Sequence, residues 1–337
     1  MKKIVIAPDS FKGSLSAVSF CQVARQTIRQ ALPRAQAVCL PIADGGEGTL
    51  DCFRTALGAQ THTVMVRGPW GEPRQAQYVS FGSTAVIELA QAAGLPLVKE
   101  RPDPGHTTTY GVGQLMARAI RDGFRELLLG LGGSCTNDAG TGAACAMGVR
   151  FWNRAGELFV PTGLTLGDIA GFDCEAAHRL LKDCRVTAMC DVSCKFWEAA
   201  RIFAPQKGAD PAMTQALERN LLALQPQLGQ AAQAPGSGAA GGFGAAVTAF
   251  FGGSLRPGIE LALDTVGFDR ALEGASLVIT GEGSFDRQSL RGKAVSGVID
   301  RAGRRGVPVL VLAGRVEPGM ALPEGVAVRC INRPDES

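Results

Sequence analysis

The sequence predicts an α/β protein built on a parallel sheet, and three observations carry that reading. Residues 1–62 alternate short apolar runs with helical patterns, the mark of successive β-α units. The alternation resumes over residues 275–337, so the two ends of the chain are expected in one sheet. Residues 63–274 then read as an inserted mixed α/β domain, with the site in the cleft between the two. At four places an apolar run ends in a segment that combines glycine with acids and hydroxyls, and open α/β sheets hold ligands at such strand ends.

Taken in order, Lys3 to Ala7 is a buried-type strand closed by Pro8-Asp9. Ser14 is placed to cap a helix with apolar positions Leu15, Val18, Cys21 and Ile28, which stops before Pro33. Ala37 to Pro41 is the second strand, and a helix from Glu47 to Leu57 stops at Gly58. Turn residues then join short strands at Thr61 to Arg67, Ala76 to Phe81 and Ala85 to Glu88, which is meander chemistry. A helix from about Thr108 to Asp122 follows, then a strand from Glu126 to Gly130, a helix from Asn137 to Met147 and a strand from Val186 to Met189. Residues 225–244, rich in Ala, Gln and Gly, read as a linker or mobile loop. The strands Leu277 to Thr280 and Val307 to Leu312 flank a helix from Lys293 to Ala302, and Val326 to Ile331 reads as a last strand.

Composition narrows the function. Glycine accounts for 44 of 337 residues, about twice average usage, and its spread through structured segments marks points of close backbone approach. A net charge of +3 gives no basis for a nucleic-acid or anionic-membrane partner. Two tyrosines and three tryptophans supply no platform for stacked bases. The ten cysteines include no C-x-x-C pair and the three histidines are isolated, which argues against structural zinc. Cys21 and Cys39 lie in apolar runs and read as small buried groups in a reducing cytosol. The N-terminal apolar run is too short for a signal segment, and no run approaches membrane-spanning length.

The strand exits carry the chemistry. Asp9-Ser10-Phe11-Lys12-Gly13-Ser14 gathers a carboxylate, hydroxyls and an ammonium; Lys12 suits an acidic substrate or phosphate with Asp9 near a metal, while the plain alternative is a helix cap. Asp44-Gly45-Gly46-Glu47-Gly48-Thr49 sets two glycines between two acids, a turn that aims N–H groups outward. Gly132-Gly133-Ser134-Cys135-Thr136-Asn137-Asp138 follows an apolar run and precedes a small-residue helix; its hydroxyls and amides suit phosphate oxygens, and capping by Thr136 or Asn137 is the alternative. Thr107-Thr108-Thr109 opens a helix with one hydroxyl placed as its cap and others able to reach a ligand. Asp191, at a strand exit, is placed for a base or a turn, and Lys207 adds a cation near Gly208. Gly236-x-Gly238-x-x-Gly241 matches a dinucleotide fingerprint in form, but no strand precedes it, so it reads instead as a covering or hinge loop. Glu282 lies between Gly281 and Gly283 at another strand exit, where a carboxylate can approach a ligand closely. The P-loop pattern and the protein-kinase H-R-D and D-F-G signatures are missing from the sequence.

At these same residues the chain resembles the bacterial glycerate kinase family. The shared motifs stand at Ala7–Ser14, Ala43–Thr49, Thr107–Gly111, Gly132–Asp138, Pro205–Ala209, Gly238–Gly242 and Thr280–Gly283, in the family's order over nearly the whole chain. The resemblance implies ATP- and Mg²⁺-dependent phosphorylation of D-glycerate in the cytoplasm, with 2-phosphoglycerate favoured. It implies a flavodoxin-like part joined to a second α/β domain, a small-molecule partner, and a monomer or homodimer. Three places depart from the family pattern: Ser193 to Trp197, Asp286-Arg287-Gln288, and the stretch after Asn332, where the family continues into a helical segment that this chain lacks.

The expected roles follow. The Gly132–Asp138 loop, with Gly132, Gly133, Ser134, Thr136 and Asn137, holds ATP phosphates, helped by Gly238 and Gly241. Asp9, Ser10, Gly45, Gly46, Thr107 and Thr108 complete substrate and phosphate binding, and Mg²⁺ sits among Asp44, Glu47 and Glu282. Lys12 or Lys207 binds the substrate carboxylate or the migrating phosphoryl group. Asp191 is the first candidate for the base that accepts the glycerate hydroxyl proton, and Asp44 the second. A nicotinamide-dependent oxidoreductase and a catalytically impaired ligand-binding relative are the alternatives.

Overall fold

The computed structural model describes residues 2–11, 13–290 and 294–332; Lys12 and Lys293, singled out above, lie outside the described residues. The chain divides into two compact units. One is Met1–Asp44 with Gly48–Ala59 and Pro257–Ser337; the other is Gly45–Glu47 with Gln60–Arg256.

The first unit opens with β1 (Lys3–Ile6), α1 (Ala17–Ala31), β2 (Gln36–Cys39) and α2 (Thr49–Leu57). The second begins with β3 (Gln60–Arg67), β4 (Pro73–Phe81), β5 (Thr84–Glu88), α3 (Ala90–Ala93), α4 (Tyr110–Arg121), β6 (Glu126–Gly130) and α5 (Thr141–Ala146). Three short strands follow, β7 (Arg150–Trp152), β8 (Leu158–Phe159) and β9 (Gly171–Asp173). Then come α6 (Glu175–Leu181), β10 (Arg185–Met189), α7 (Ala199–Phe203), α8 (Pro211–Leu228), α9 (Ala239–Ala249) and β11 (Ser254–Arg256). The chain returns to the first unit with α10 (Gly258–Thr265), α11 (Phe268–Leu272), β12 (Ala275–Phe285), α12 (Ala294–Arg304), β13 (Val309–Val316) and β14 (Val326–Cys330). Helices α10 and α11 thus join the first unit, upstream of the boundary expected at 274.

The first unit is a five-stranded sheet in the order β14-β13-β12-β1-β2, parallel throughout. Counted within the unit, that is the flavodoxin-like order 2-1-3-4-5, whose switch point lies between its first and third strands, here β1 and β12. The apolar run of β1 is buried because strands pair with it on both sides. Ser16, not Ser14, caps α1: its hydroxyl accepts from Ser19 N–H at 3.1 Å. Ser14 instead donates to the Phe11 carbonyl at 3.0 Å, closing the turn that brings Leu15 back onto Phe11. Gly48 is left-handed at φ 90°, so α2 starts at Thr49 rather than Glu47. The largest difference is in β12, which continues to Phe285. Gly281-Glu282-Gly283 therefore lies inside the strand, with Glu282 opposite Ala313 of β13, and not in a loop beyond it.

The second unit holds a six-stranded sheet, β11-β10-β6-β5-β4-β3. From β11 to β5 it is parallel; β5, β4 and β3 form the antiparallel meander the turn residues predicted. The run Leu127-Leu128-Leu129 is buried because β6 has neighbours on both edges. A separate three-stranded sheet pairs β7 with β8 and β9. Residues 225–244 are not a linker. They form the end of α8, a 3-10 turn and the start of α9, and Ala239, Gly241, Gly242, Phe243 and Gly244 are buried. Small residues here allow close packing, and an all-apolar helix is a buried one. Among the described residues, no helix is long and apolar enough to cross a membrane.

Candidate functional site

In the second unit, the carboxyl ends of β5, β6 and β10 lie side by side, with Gly130 opposite both Glu88 and Met189. The loop of residues 131–140 leaves β6 at this edge. Its start packs on the Gly45–Glu47 segment: Gly132 N–H donates to the Gly45 carbonyl at 3.0 Å. Gly45 has φ +97°, and a Cβ there would lie 2.5 Å from Met189 Cβ; one on Gly132 would lie 2.5 Å from Gly46 Cα. Close backbone packing alone accounts for glycine at these positions.

Asp138 organises the loop. Its fully buried carboxylate accepts from Thr109 N–H and the Thr109 hydroxyl, both at 2.8 Å, from Gly140 N–H at 3.1 Å and from Gly142 N–H at 3.3 Å. Burial pushes the Asp138 carboxyl above the usual range, while these donors oppose the shift. The Thr109 hydroxyl also accepts from Ala143 N–H at 3.0 Å, so one carboxylate fastens the start of α4 to the start of α5. Because Asp138 collects these amides, α5 begins only at Thr141, behind a left-handed Gly140. Thr136 and Asn137 thus lie in the loop: the helix expected from Asn137 starts later, and neither residue caps it, the alternative reading.

Lys207, at the end of the 3-10 turn Pro205–Lys207, is only 3% exposed. Its ammonium donates to the Thr136 carbonyl at 2.6 Å and to Ser134 Oγ at 3.3 Å. Burial pulls its pKa down from 10.5 to about 8, with Asp138 and the Cys135 thiol opposing. In the same loop, Asn137 has a fully buried side chain whose oxygen and nitrogen both lack a hydrogen-bond partner. A buried amide left unpaired costs roughly 1–3 kcal/mol, which hydrogen bonds from a ligand would recover.

Thr107 is committed to the loop: its buried hydroxyl donates to the Cys135 carbonyl at 3.1 Å. The Thr108 hydroxyl accepts from Tyr110 N–H at 3.2 Å. The start of α9 closes against the loop, where Ala139 N–H donates to the Gly241 carbonyl at 3.0 Å. A Cβ on Gly241, at φ +70°, would lie 2.2 Å from the Thr136 carbonyl oxygen and 2.6 Å from Asn137 Cα. Ala139 and Ala240 both adopt left-handed backbone, at φ 52° and 51°. Alanine held there stores strain of order 1–3 kcal/mol, a feature that concentrates at functional sites.

Gly238 packs on the Lys195 carbonyl, and the run Gly236 to Gly241 follows α8 and a 3-10 turn, Gly229–Ala232, rather than a strand. The dinucleotide geometry needs that strand, so the nicotinamide reading has no structural footing. Asp191 is exposed, two residues past the end of β10 and at the same sheet edge as the 131–140 loop.

Asp9, Ser10, Asp44 and Glu282 belong to the first unit. Asp9 N–H donates to the Gly281 carbonyl at 2.9 Å, and the Asp9 carboxylate accepts from Ser10 N–H at 2.7 Å. The Thr280 hydroxyl donates to the Ala7 carbonyl at 2.7 Å. Asp9, Ser10 and the largely buried Glu282 therefore sit at the β1–β12 switch point. Among the described residues, no group of three or more His, Cys, Asp or Glu side chains is placed to hold a metal; of the acids expected around Mg²⁺, Asp44 and Glu282 lie in the first unit and Glu47 in the second. Sequence reasoning included Asp138 in the phosphate loop and Thr109 among the helix-opening threonines but gave neither its organising role; the signal for Asp138 was an acid inside a glycine loop that no capping role required.

The model of the glycerate kinase family matches residues 4–331. Over 327 residues the chain is 42% identical to a glycerate kinase of Bacillus cereus, covering 94% of this chain and 86% of that protein. It is 40% identical over 324 residues to the glycerate 2-kinase of Escherichia coli, covering 93% and 85% respectively. The crystal structure of a candidate glycerate kinase 2 from Salmonella typhimurium LT2 matches with a TM-score of 0.87 at 37% identity, over 97% of this chain and 89% of that one. Motif order, parallel-sheet architecture and these likenesses agree: the chain belongs to the glycerate kinase family.

Proposed function

We propose that this kinase-family chain transfers the terminal phosphoryl group of ATP to D-glycerate and that the product is 2-phosphoglycerate. One observation carries the reading: a buried ammonium, Lys207, and an unpaired buried amide, Asn137, belong to one loop system at a parallel sheet's carboxyl edge. Phosphoryl transfer needs positioning and charge neutralisation more than covalent chemistry, and a desolvated cation beside amide and hydroxyl groups suits phosphate oxygens. The name glycerate 2-kinase on the E. coli relative supports O2 as the acceptor.

ATP supplies the phosphoryl group. Lys207, Asn137, Ser134 and Thr136 hold its oxygens, with Gly133, Gly238 and Gly241 shaping the surrounding backbone. Asp191 accepts the proton of the glycerate hydroxyl, with Asp44 the second candidate. Asp9, Ser10 and Thr108 are assigned to ligand binding. Mg²⁺ enters with the nucleotide, kept by phosphate oxygens, water and one or two carboxylates, as is usual for this ion. Ten free thiols support a reducing compartment, the cytoplasm.

The test is ADP release with D-glycerate, with and without Mg²⁺, followed by phosphorus NMR of the product. ADP formation that depends on D-glycerate, with a 2-phosphoglycerate resonance, is expected. Nucleotide binding without ADP release would make the chain an impaired relative, and a 3-phosphoglycerate resonance would overturn the regiochemistry. Asp191→Asn should lower turnover by about 10² or more; near-normal turnover moves the base to Asp44.

A further inference from the structure

Two cysteines of the first unit, outside the site above, are juxtaposed between α1 and β2. The Cys21 thiol, on the buried face of α1, donates to the Ile6 carbonyl at 3.7 Å. Ile6 is the register partner of Cys39 on the adjacent strand. The Cys39 thiol reaches back to the Cys21 carbonyl at 3.5 Å. Cys21 is 1% exposed, whereas Cys39 is only half-buried because β2 is an edge strand of its sheet. The sequence reading of both as small buried groups therefore holds for Cys21, whereas Cys39 is only partly buried.

We propose that Cys21 and Cys39 form a redox-modification site in which a hydroperoxide oxidises Cys39 and Cys21 resolves it to an intrachain disulfide. The Cys39 thiolate attacks the terminal peroxide oxygen, the O–O bond breaks, and the alkoxide (hydroxide, from hydrogen peroxide) leaves and takes up the proton that Cys39 lost on ionising, giving a sulfenic acid. Cys21 sulfur then attacks Cys39 sulfur, the S–O bond breaks, and water departs with the Cys21 proton. Two thiols lose two electrons and the peroxide gains them. The electrostatics agree with this order. The neighbouring Cys21 side chain, with Arg25 and Arg29 nearby, holds Cys39 down to about 7 against the opposing effect of burial. The Cys39 hydrogen bond and burial raise Cys21. The more accessible thiol is thus the nucleophile and the buried one the resolving partner, the usual division at redox cysteines.

The test treats the full chain with hydrogen peroxide, blocks remaining thiols, and maps unreduced tryptic peptides by mass spectrometry. A cross-link between the Cys21 peptide and Cys39, lost on adding dithiothreitol, is expected; fragmentation separates Cys39 from Cys52, which shares its tryptic peptide. In a Cys21→Ser variant, Cys39 should be labelled by dimedone as a sulfenic acid. An Arg25→Gln variant should form the cross-link about twofold more slowly. Blocked, unlinked Cys21 and Cys39 after peroxide treatment, or a cross-link through Cys52 instead, would overturn the proposal.

Discussion

The ammonium of Lys207 lies 2.6 Å from the carbonyl oxygen of Thr136, buried in the loop system that carries the unpaired Asn137 amide. This contact orients a desolvated charge beside the backbone that is assigned to phosphate.

Lys207→Met should lower kcat/KM by about 10² or more, the usual loss when a preorganised charge is removed from a developing anion. The pH dependence has a defined sign. Folding pulls this lysine from 10.5 to about 8, so between those values the unfolded chain binds more protons and stability rises with pH; below about 8 the burial penalty is fully present. Activity runs the other way, because the charged form is lost. A kcat/KM profile of the native protein should fall above about pH 8. A profile that stays level to about pH 9.5 would contradict the assignment.

Asn137→Leu should separate function from stability. Removing an unsatisfied buried amide should leave stability unchanged or raise it by about 1 kcal/mol, while kcat/KM falls by about 10². Urea midpoints read alongside steady-state kinetics check both halves. A strongly destabilised variant would show that Asn137 is structural.

Gly241→Ala places a methyl group against the Thr136 carbonyl in left-handed backbone. The expected loss is about 2 kcal/mol or more of stability, from strain and displacement of the loop, with reduced nucleotide affinity. Gly274→Ala is the control: it is left-handed too, at φ +70°, but its Cβ would meet nothing within 4 Å. It should retain nucleotide affinity.

Arg301, 7% exposed, gathers Glu260, Asp264 and Asp269 at 2.5, 2.7 and 2.8 Å. Arg301→Met leaves three carboxylates facing one another and should cost about 1–3 kcal/mol; the acids remain well solvated, which keeps the figure below that of a fully buried pair. About 0.5 M salt should narrow the deficit in thermal unfolding by screening their repulsion.

Much of the fold was legible where one period dominated. The buried run ending at Gly130 was assigned its observed bounds, and the turn residues around Gly68 and Gly82 announced the meander. The strand order was not legible, because nothing local says that β1 lies between β2 and β12. Residues 225–244 misled because Gly and Ala signal flexibility in isolation, yet here they allow backbones to pack closely. Glu282 misled similarly, since flanking glycines suggest a loop even when the neighbouring strand pairs through them. At the site, composition marked the 131–140 loop. The burial of Lys207, the isolation of the Asn137 amide and the organising role of Asp138 all depend on contacts across more than a few residues.

The central pairing of the first sheet joins Lys3 to Ala275 and Ile6 to Ile279. During synthesis at roughly 5–20 residues per second, the initial strand emerges tens of seconds before the partner that covers its open edge. Throughout that interval the nascent chain carries an apolar ribbon with unfilled main-chain donors and acceptors, a template for illegitimate pairing. Ribosome-associated holding factors, or slow exit of the intervening segment, would therefore matter more to the yield of this protein than to one whose sheet is contiguous in the gene.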